Sequence, residues 1–237
     1  MKSTSDFDEI TVFGARGHSL MILRGLEEYW RGRVRVRALI DDIENGFVHP
    51  GLGVPVISSA ARLRDHAALP VLLTVSNPGL RRRVAGGLRE EGATLATACC
   101  PDLPHVDPDV QFGPGSITMP WTRIGPAVRI GACAMILSSS IGHDVEIGDF
   151  STLAIESALA GHVKIGESVN IAPRGAVMNG SRRRVMEIGD GAEIGGGAVV
   201  IGKVAAGARM IGNPAMPIRD WVRLRRLLRS ETGSEAL

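Results

Sequence analysis

Cysteine is scarce: the 237 residues contain three, Cys99, Cys100 and Cys133. An adjacent pair rarely closes a bridge and no C-x-x-C spacing occurs, so a disulfide framework is excluded and a reduced, cytoplasmic protein is expected. Aromatic residues make up only 4% of the chain, with a single tyrosine. Nowhere do about 18 apolar residues run together, so no membrane-spanning helix is expected. The polar opening MKSTSDFDEI lacks the apolar run of a secretory signal. Charge of one sign is also lacking: the formal net charge is +2, which gives no reason to propose nucleic acid as a partner. The basic runs at 81–83 and 223–229 read as solvated faces, and that at 182–184 reads equally as a solvated loop or as a phosphate clamp for coenzyme or nucleotide.

Glycine is abundant, with 30 residues, and the chain changes its pattern near residue 102. Before that point, strand-like and helix-like segments alternate. ITVFG (10–14), VRVRALIDD (34–42), PVLLTVSN (70–77) and ATLATACC (93–100) read as strands. HSLMILRGLEEYWRG (18–32), SSAARLRDHAAL (58–69) and PGLRRRVAGGLREEG (78–92) read as helices, the last with Leu80, Val84 and Leu88 on one stripe. This alternation predicts a small parallel, Rossmann-like sheet covered by helices. Ligands of such sheets lie beyond the carboxyl ends of the strands. GARGH (14–18) and the pair Asp41–Asp42 fall there. The glycines would let a phosphate approach the backbone, although a tight turn alone would use them equally.

From residue 106 a period of six replaces helical spacing. Ile124, Ile130 and Ile136, then Ile147, Leu153, Leu159, Ile165, Ile171 and Val177, then Ile188, Ile194 and Val200 form three runs with a constant step of six. One inward aliphatic per six residues marks a hexapeptide β-helix, in which only stacking buries the aliphatic side chain. Three repeats make one triangular coil, so residues 106–214 hold about six coils, roughly 25–30 Å at strand spacing. The period slips twice. The step from Ile136 to Ile141 is short by one residue, and five extra residues sit between Val177 and Ile188. Such irregularities mark the exposed, functional side of a solenoid. His143 and Asp144 follow the first slip, in SSSIGHDVEIGDF. Neighbouring side chains on a strand point to opposite faces, so Asp144 can assist His143 only if the pair sits at a corner. The tail, 217–231, carries Trp221, Leu224, Leu227 and Leu228 on one side of a helix and reads as a cap on the open end of the solenoid.

The order VFGARGH, Asp-Asp after the second strand, IGHD-x-x-IGDF, LAGHVKIG, IGGGAVV and IGNPA resembles a known family over residues 10–216. It is that of the bacterial sugar O-/N-acyltransferases, which includes sialic-acid O-acetyltransferases and nucleotide-amino-sugar N-acetyltransferases. The resemblance implies three parts: a nucleotide-sugar-binding α/β domain (1–102), a left-handed β-helix acyltransferase domain (103–216), and a C-terminal helix and tail (217–237). It implies a homotrimer with active sites between subunits, acetyl-CoA as donor and a nucleotide-linked sugar as acceptor; no metal is expected, because neither His66 nor His105 lies in register with His143 and His162.

By position, Arg16, Gly17, His18, Asp41, Asp42, Ser76 and Asn77 fall on nucleotide-sugar contacts. His143 falls on the general base and Asp144 on its carboxylate partner. Gly161 falls where a backbone N–H meets the thioester oxygen, and Thr152, Pro173 and Gly196 fall on coenzyme contacts. Two positions depart from the family pattern. Ile136 stands at a substrate-side position where relatives often carry Asn, and Thr152 where they often carry His. The residue chemistry suits direct transfer: an imidazole takes the acceptor's proton and a glycine N–H steadies the oxyanion. Two other readings stay open, a non-catalytic sugar-nucleotide-binding or assembly protein, and a solenoid metalloenzyme using His143 with His162.

Overall fold

The computed structural model describes residues 3–213 and 215–232. Pro214 of the IGNPA motif, the side chain of Leu228 and the last five residues of the tail lie outside the described residues.

The first hundred residues build one sheet. In chain order its elements are β1 (Ser3–Thr4), β2 (Glu9–Phe13), α1 (Gly17–Trp30), β3 (Arg35–Ile40), β4 (Phe47–Val48), β5 (Pro55–Ile57), α2 (Ser59–Asp65), β6 (Val71–Leu73), α3 (Pro78–Glu90) and β7 (Leu95–Ala96). The strand order is β1-β7-β6-β2-β3-β5-β4, parallel throughout except for the edge pair β4 and β5. β2 and β6 are buried on both faces, as central parallel strands are, with Ile10, Val12, Val71 and Leu72 at 0% exposure and Thr11 the one polar residue at the centre of β2. Ser58 and Asn77 cap α2 and α3 by accepting from Ala61 N and Leu80 N.

Beyond residue 105 the chain winds into a β-helix of short parallel strands on three faces. The first face stacks the strands Ile117–Thr118, Met135–Ile136, Thr152–Leu153, Asn170–Ile171, Glu193–Ile194 and Arg209–Ile211. The second stacks Arg123–Ile124, Ser140–Ile141, Ala158–Leu159, Ala176–Val177 and Val199–Val200. The third stacks Gln111–Phe112, Arg129–Ile130, Glu146–Ile147, Val163–Ile165 and Met186–Ile188. Every aliphatic of the six-residue series points inward and joins one core running the length of the solenoid. The short step is absorbed at the turn around Ser138 and Ser139, between the first and second faces, and Ile124 still pairs with Ile141 and Ile136 with Leu153.

Outward side chains give each face its own character. The third is a charged ladder in which Glu146 meets both Arg129 and Lys164. The second is lined by the small residues Ser140, Ala158 and Ala176. The first is apolar and covered at its first two coils, where Ile117, Met119, Met135 and Leu137 pack into one cluster with Ile22, Leu26 and Trp30 of α1. The sheet unit and the first coils therefore share a core.

Arg81 completes that junction and corrects the reading of residues 81–83 as a solvated run. Arg81 is 1% exposed, and the buried face of α3 is Arg81, Ala85 and Leu88, with Leu80 left in solvent. Its guanidinium donates to Cys133 O (2.8 Å), Val75 O (2.6 Å), Phe150 O (2.6 Å) and Thr152 Oγ1 (2.8 Å). Burial lowers its pKa to about 10. The C-terminal helix α4 (Ile218–Thr232) packs on the last strands of the first face, where the cap was expected.

Candidate active site

At the edge between the second and third faces, the turn residues Ala127, Asp144 and His162 lie one above another, with φ of +57°, +54° and +57°. The left-handed conformation is tolerated by Asp and His better than by most L-residues. It turns the Asp144 side chain back along the edge instead of across the strand, which meets the corner condition set by strand geometry. Asp144 Oδ2 lies 2.7 Å from His143 Nδ1. One coil on, His162 Nδ1 stands 3.7 Å from the same oxygen, and the two imidazoles meet edge to face with centroids 5.0 Å apart. The His143 hydrogen bond, with smaller contributions from His162 and Arg182, holds the Asp144 carboxyl below the usual carboxylate range. A carboxylate on Nδ1 fixes the imidazole tautomer and leaves Nε2 as the proton acceptor.

That nitrogen lies against Gly161. A Cβ added to Gly161 would stand 2.6 Å from Nε2, so only glycine lets the ring occupy this place. The Gly161 N–H donates to no acceptor among the described residues, while its carbonyl accepts from Gly180 N. An exposed imidazole, its carboxylate partner and an unpaired N–H are thus gathered on one edge. Ligand atoms of His143, Asp144 and His162 lie within 4.8 Å of one another and could also hold one divalent ion. His162 appears in the sequence only as a residue 19 positions from His143; its shared contact with Asp144 depends on coil stacking.

The other expected site residues lie elsewhere. The turns after β2, β3 and β6 open at one end of the sheet and carry Arg16, Gly17, His18, Asp41, Asp42, Ser76 and Asn77. Arg16 Nε lies 3.7 Å from Asp41 Oδ2. A Cβ at Gly14 would meet Ser19 Oγ at 2.4 Å, so the first turn requires glycine. Asp42 accepts from Ser59 N and Ser59 Oγ, both at 2.7 Å, and thereby holds the start of α2. His18 is half-buried, with Nε2 3.4 Å from Met135 Sδ, and burial and then the Arg81 charge lower its pKa. Ser76 and Asn77 border a cleft of about 500 Å³ with Ser168, Asn170 and Glu193. Pro173 and Gly196 are exposed on the edge between the first and second faces, where Pro173 O accepts from Gly197 N.

Two expectations are overturned. Ile136 does not touch a substrate, because its side chain belongs to the solenoid core at 0% exposure. Thr152 is 4% exposed beneath α3 and its hydroxyl accepts from Arg81, so it is not presented to a coenzyme.

A hexapeptide β-helix joined to a parallel-sheet unit, with a His–Asp pair on an exposed edge, defines the acyltransferase class of solenoid proteins. No family model matches the chain. It is 31% identical over 148 residues to GDP-perosamine N-acetyltransferase of Escherichia coli O157:H7, a stretch of 62% of this chain and 66%, just under two thirds, of that protein's own length. Among solved structures, WeeI from Acinetobacter baumannii AYE superposes with a TM-score of 0.77 at 25% identity, covering 88% of this chain and 99% of that one. A variant of perosamine N-acetyltransferase from Caulobacter crescentus, in complex with CoA and GDP-perosamine, gives a TM-score of 0.74 at 25% identity, with 91% and 99% covered. In sequence and in fold the chain is thus similar to bacterial sugar acyltransferases of the left-handed β-helix type.

Proposed function

We propose that the protein transfers the acetyl group of acetyl-CoA directly to an amine of a nucleotide-linked sugar, with His143 as general base. The observation that carries this reading is the 2.7 Å contact of Asp144 with His143 Nδ1, which leaves Nε2 free beside Gly161. As the acceptor nitrogen attacks the thioester carbonyl, Nε2 takes its proton and Asp144 stabilises the imidazolium. The Gly161 N–H meets the charge developing on the carbonyl oxygen. The collapsing intermediate expels the coenzyme thiolate, which accepts the proton from His143. An amine acceptor is preferred over a hydroxyl because two of the relatives named above, those of Escherichia coli and Caulobacter crescentus, are perosamine N-acetyltransferases.

In this reading residues 1–102 bind the nucleotide, 103–216 carry the transfer site and the helix from 217 is a cap. Arg16, Gly17, His18, Asp41, Asp42, Ser76 and Asn77 contact the nucleotide-linked sugar, and Pro173 and Gly196 contact the coenzyme. His18 rests on Met135 of the first face, whereas His143 occupies the opposite edge of the prism. One chain therefore cannot offer a sugar held beyond β2 and β3 to its own base. A second copy seated on the small-residue second face would supply the missing half, and a closed ring of three copies repeats that contact.

The test is acetyl transfer from acetyl-CoA to a panel of nucleotide-linked amino sugars that includes GDP-perosamine. Wild-type protein acetylates at least one, and His143→Ala loses activity by about 10²–10⁴-fold while its mass in solution stays that of three chains. Turnover retained in His143→Ala removes the histidine from the mechanism. A wild type that binds the nucleotide sugar and not acetyl-CoA is a binding protein instead.

A further inference from the structure

Five of the nine arginines and lysines between residues 103 and 216 meet a carboxylate. Arg129 and Lys164 share Glu146, Arg174 meets Glu156, Lys203 meets Glu187 and Arg209 meets Glu193. Arg123 aside, the exceptions are Arg182, Arg183 and Arg184, all exposed and none with an ion-pair partner among the described residues. They occupy the extra segment between the second and third faces, on the edge that carries His143.

The segment is a built hairpin. Ser181 N donates to Arg184 O at 2.9 Å, Arg184 N returns to Ser181 O at 3.0 Å, and Ser181 Oγ also accepts from Arg184 N. Its roots are fixed on the transfer site: Gly180 N donates to Gly161 O and Met186 N to His162 O, both at 3.0 Å. A side chain at Gly180 would collide with His162 O. Arg182 is near enough to help lower the Asp144 carboxyl pKa. Three guanidinium groups without an ion-pair partner among the described residues, on a hairpin two coils on from His143, repel each other unless an anion joins them. Guanidinium groups match phosphoryl oxygens with paired N–H donors.

We propose that the hairpin of Arg182, Arg183 and Arg184 binds phosphoryl groups of a substrate and holds them beside His143. This rests on His143 marking the transfer site. The phosphates are those of the nucleotide-linked acceptor or those of the coenzyme, and the two sources separate by experiment.

The triple variant Arg182→Ser, Arg183→Ser, Arg184→Ser keeps Ser181, Gly180 and Met186, and so keeps the hairpin's backbone anchors. Calorimetric titration of wild type and variant with coenzyme A, dephospho-coenzyme A, GDP and UDP reads binding without turnover. The variant should bind at least one of these about tenfold or more weakly at low salt, with the gap closing as ionic strength rises. A loss for coenzyme A assigns the coenzyme, and dephospho-coenzyme A then shows whether its 3′-phosphate is the group held. A loss for GDP or UDP assigns the acceptor. Affinities within twofold of wild type for all four ligands overturn the proposal, as does a wild type that binds none of them. If His143→Ala keeps full turnover while the triple variant loses affinity, the base assignment fails and the phosphate site stands as a binding site alone.

Discussion

Gly161 forms the floor under the His143 imidazole: a single added carbon would sit 2.6 Å from Nε2. The clash is with the tip of a side chain and not with backbone, so Gly161→Ala should displace the ring and spare the coils. Acetyl transfer should fall about 10²-fold, with the thermal midpoint shifted by only a few degrees. A variant that keeps wild-type kcat would show that the ring position next to Gly161 is irrelevant to transfer.

The two histidines should differ sharply in weight. His162 reaches Asp144 only at 3.7 Å, against 2.7 Å for His143. His162→Ala should lower kcat by less than about tenfold, against the loss of about 10²–10⁴-fold expected for His143→Ala. Equal losses in steady-state assays would mean that both rings take part in proton transfer.

Arg81 should matter more to stability than any catalytic residue. Arg81→Met leaves the carbonyls of Cys133, Val75 and Phe150 without their donor, at a cost on the order of 3–5 kcal/mol. Urea denaturation measures it, and a loss under about 1 kcal/mol would mean that the carbonyls find other donors.

Burial lowers the pKa of His18, so the folded protein binds its proton less readily than the unfolded chain. Between His18's folded pKa and the ordinary value near 6.5 the unfolded state holds more protons, and stability rises with pH. The contribution is complete above about pH 6.5 and is lost as pH falls through the folded value. Urea midpoints at pH 7.5 and 5.5, compared for wild type and His18→Gln, should show a smaller drop in the variant.

Much of this architecture could be read from spacing. One residue in six must face inward, so Ile124 through Val200 announce the solenoid without tertiary information, and the same series already placed Ile136 inside the core. Naming Ile136 as a substrate position followed the family pattern and overlooked that constraint. Thr152 and Arg81 were not legible. Each lies at an outward or polar position whose burial depends on α3 packing over the first face. Pairing of Asp144 with His143 required only a corner, whereas the approach of His162 required coils to stack in register.

Repeat solenoids usually melt as nearly independent units, each coil held by its neighbours alone. Here one guanidinium ties α3 to carbonyls at residues 133 and 150, in successive coils, and α1 shares its apolar cluster with the coils below. Loss of the sheet unit thus removes the ties that keep the catalytic coils together. Calorimetry should record a single transition whose van't Hoff and calorimetric enthalpies agree, with no temperature at which the solenoid survives its sheet.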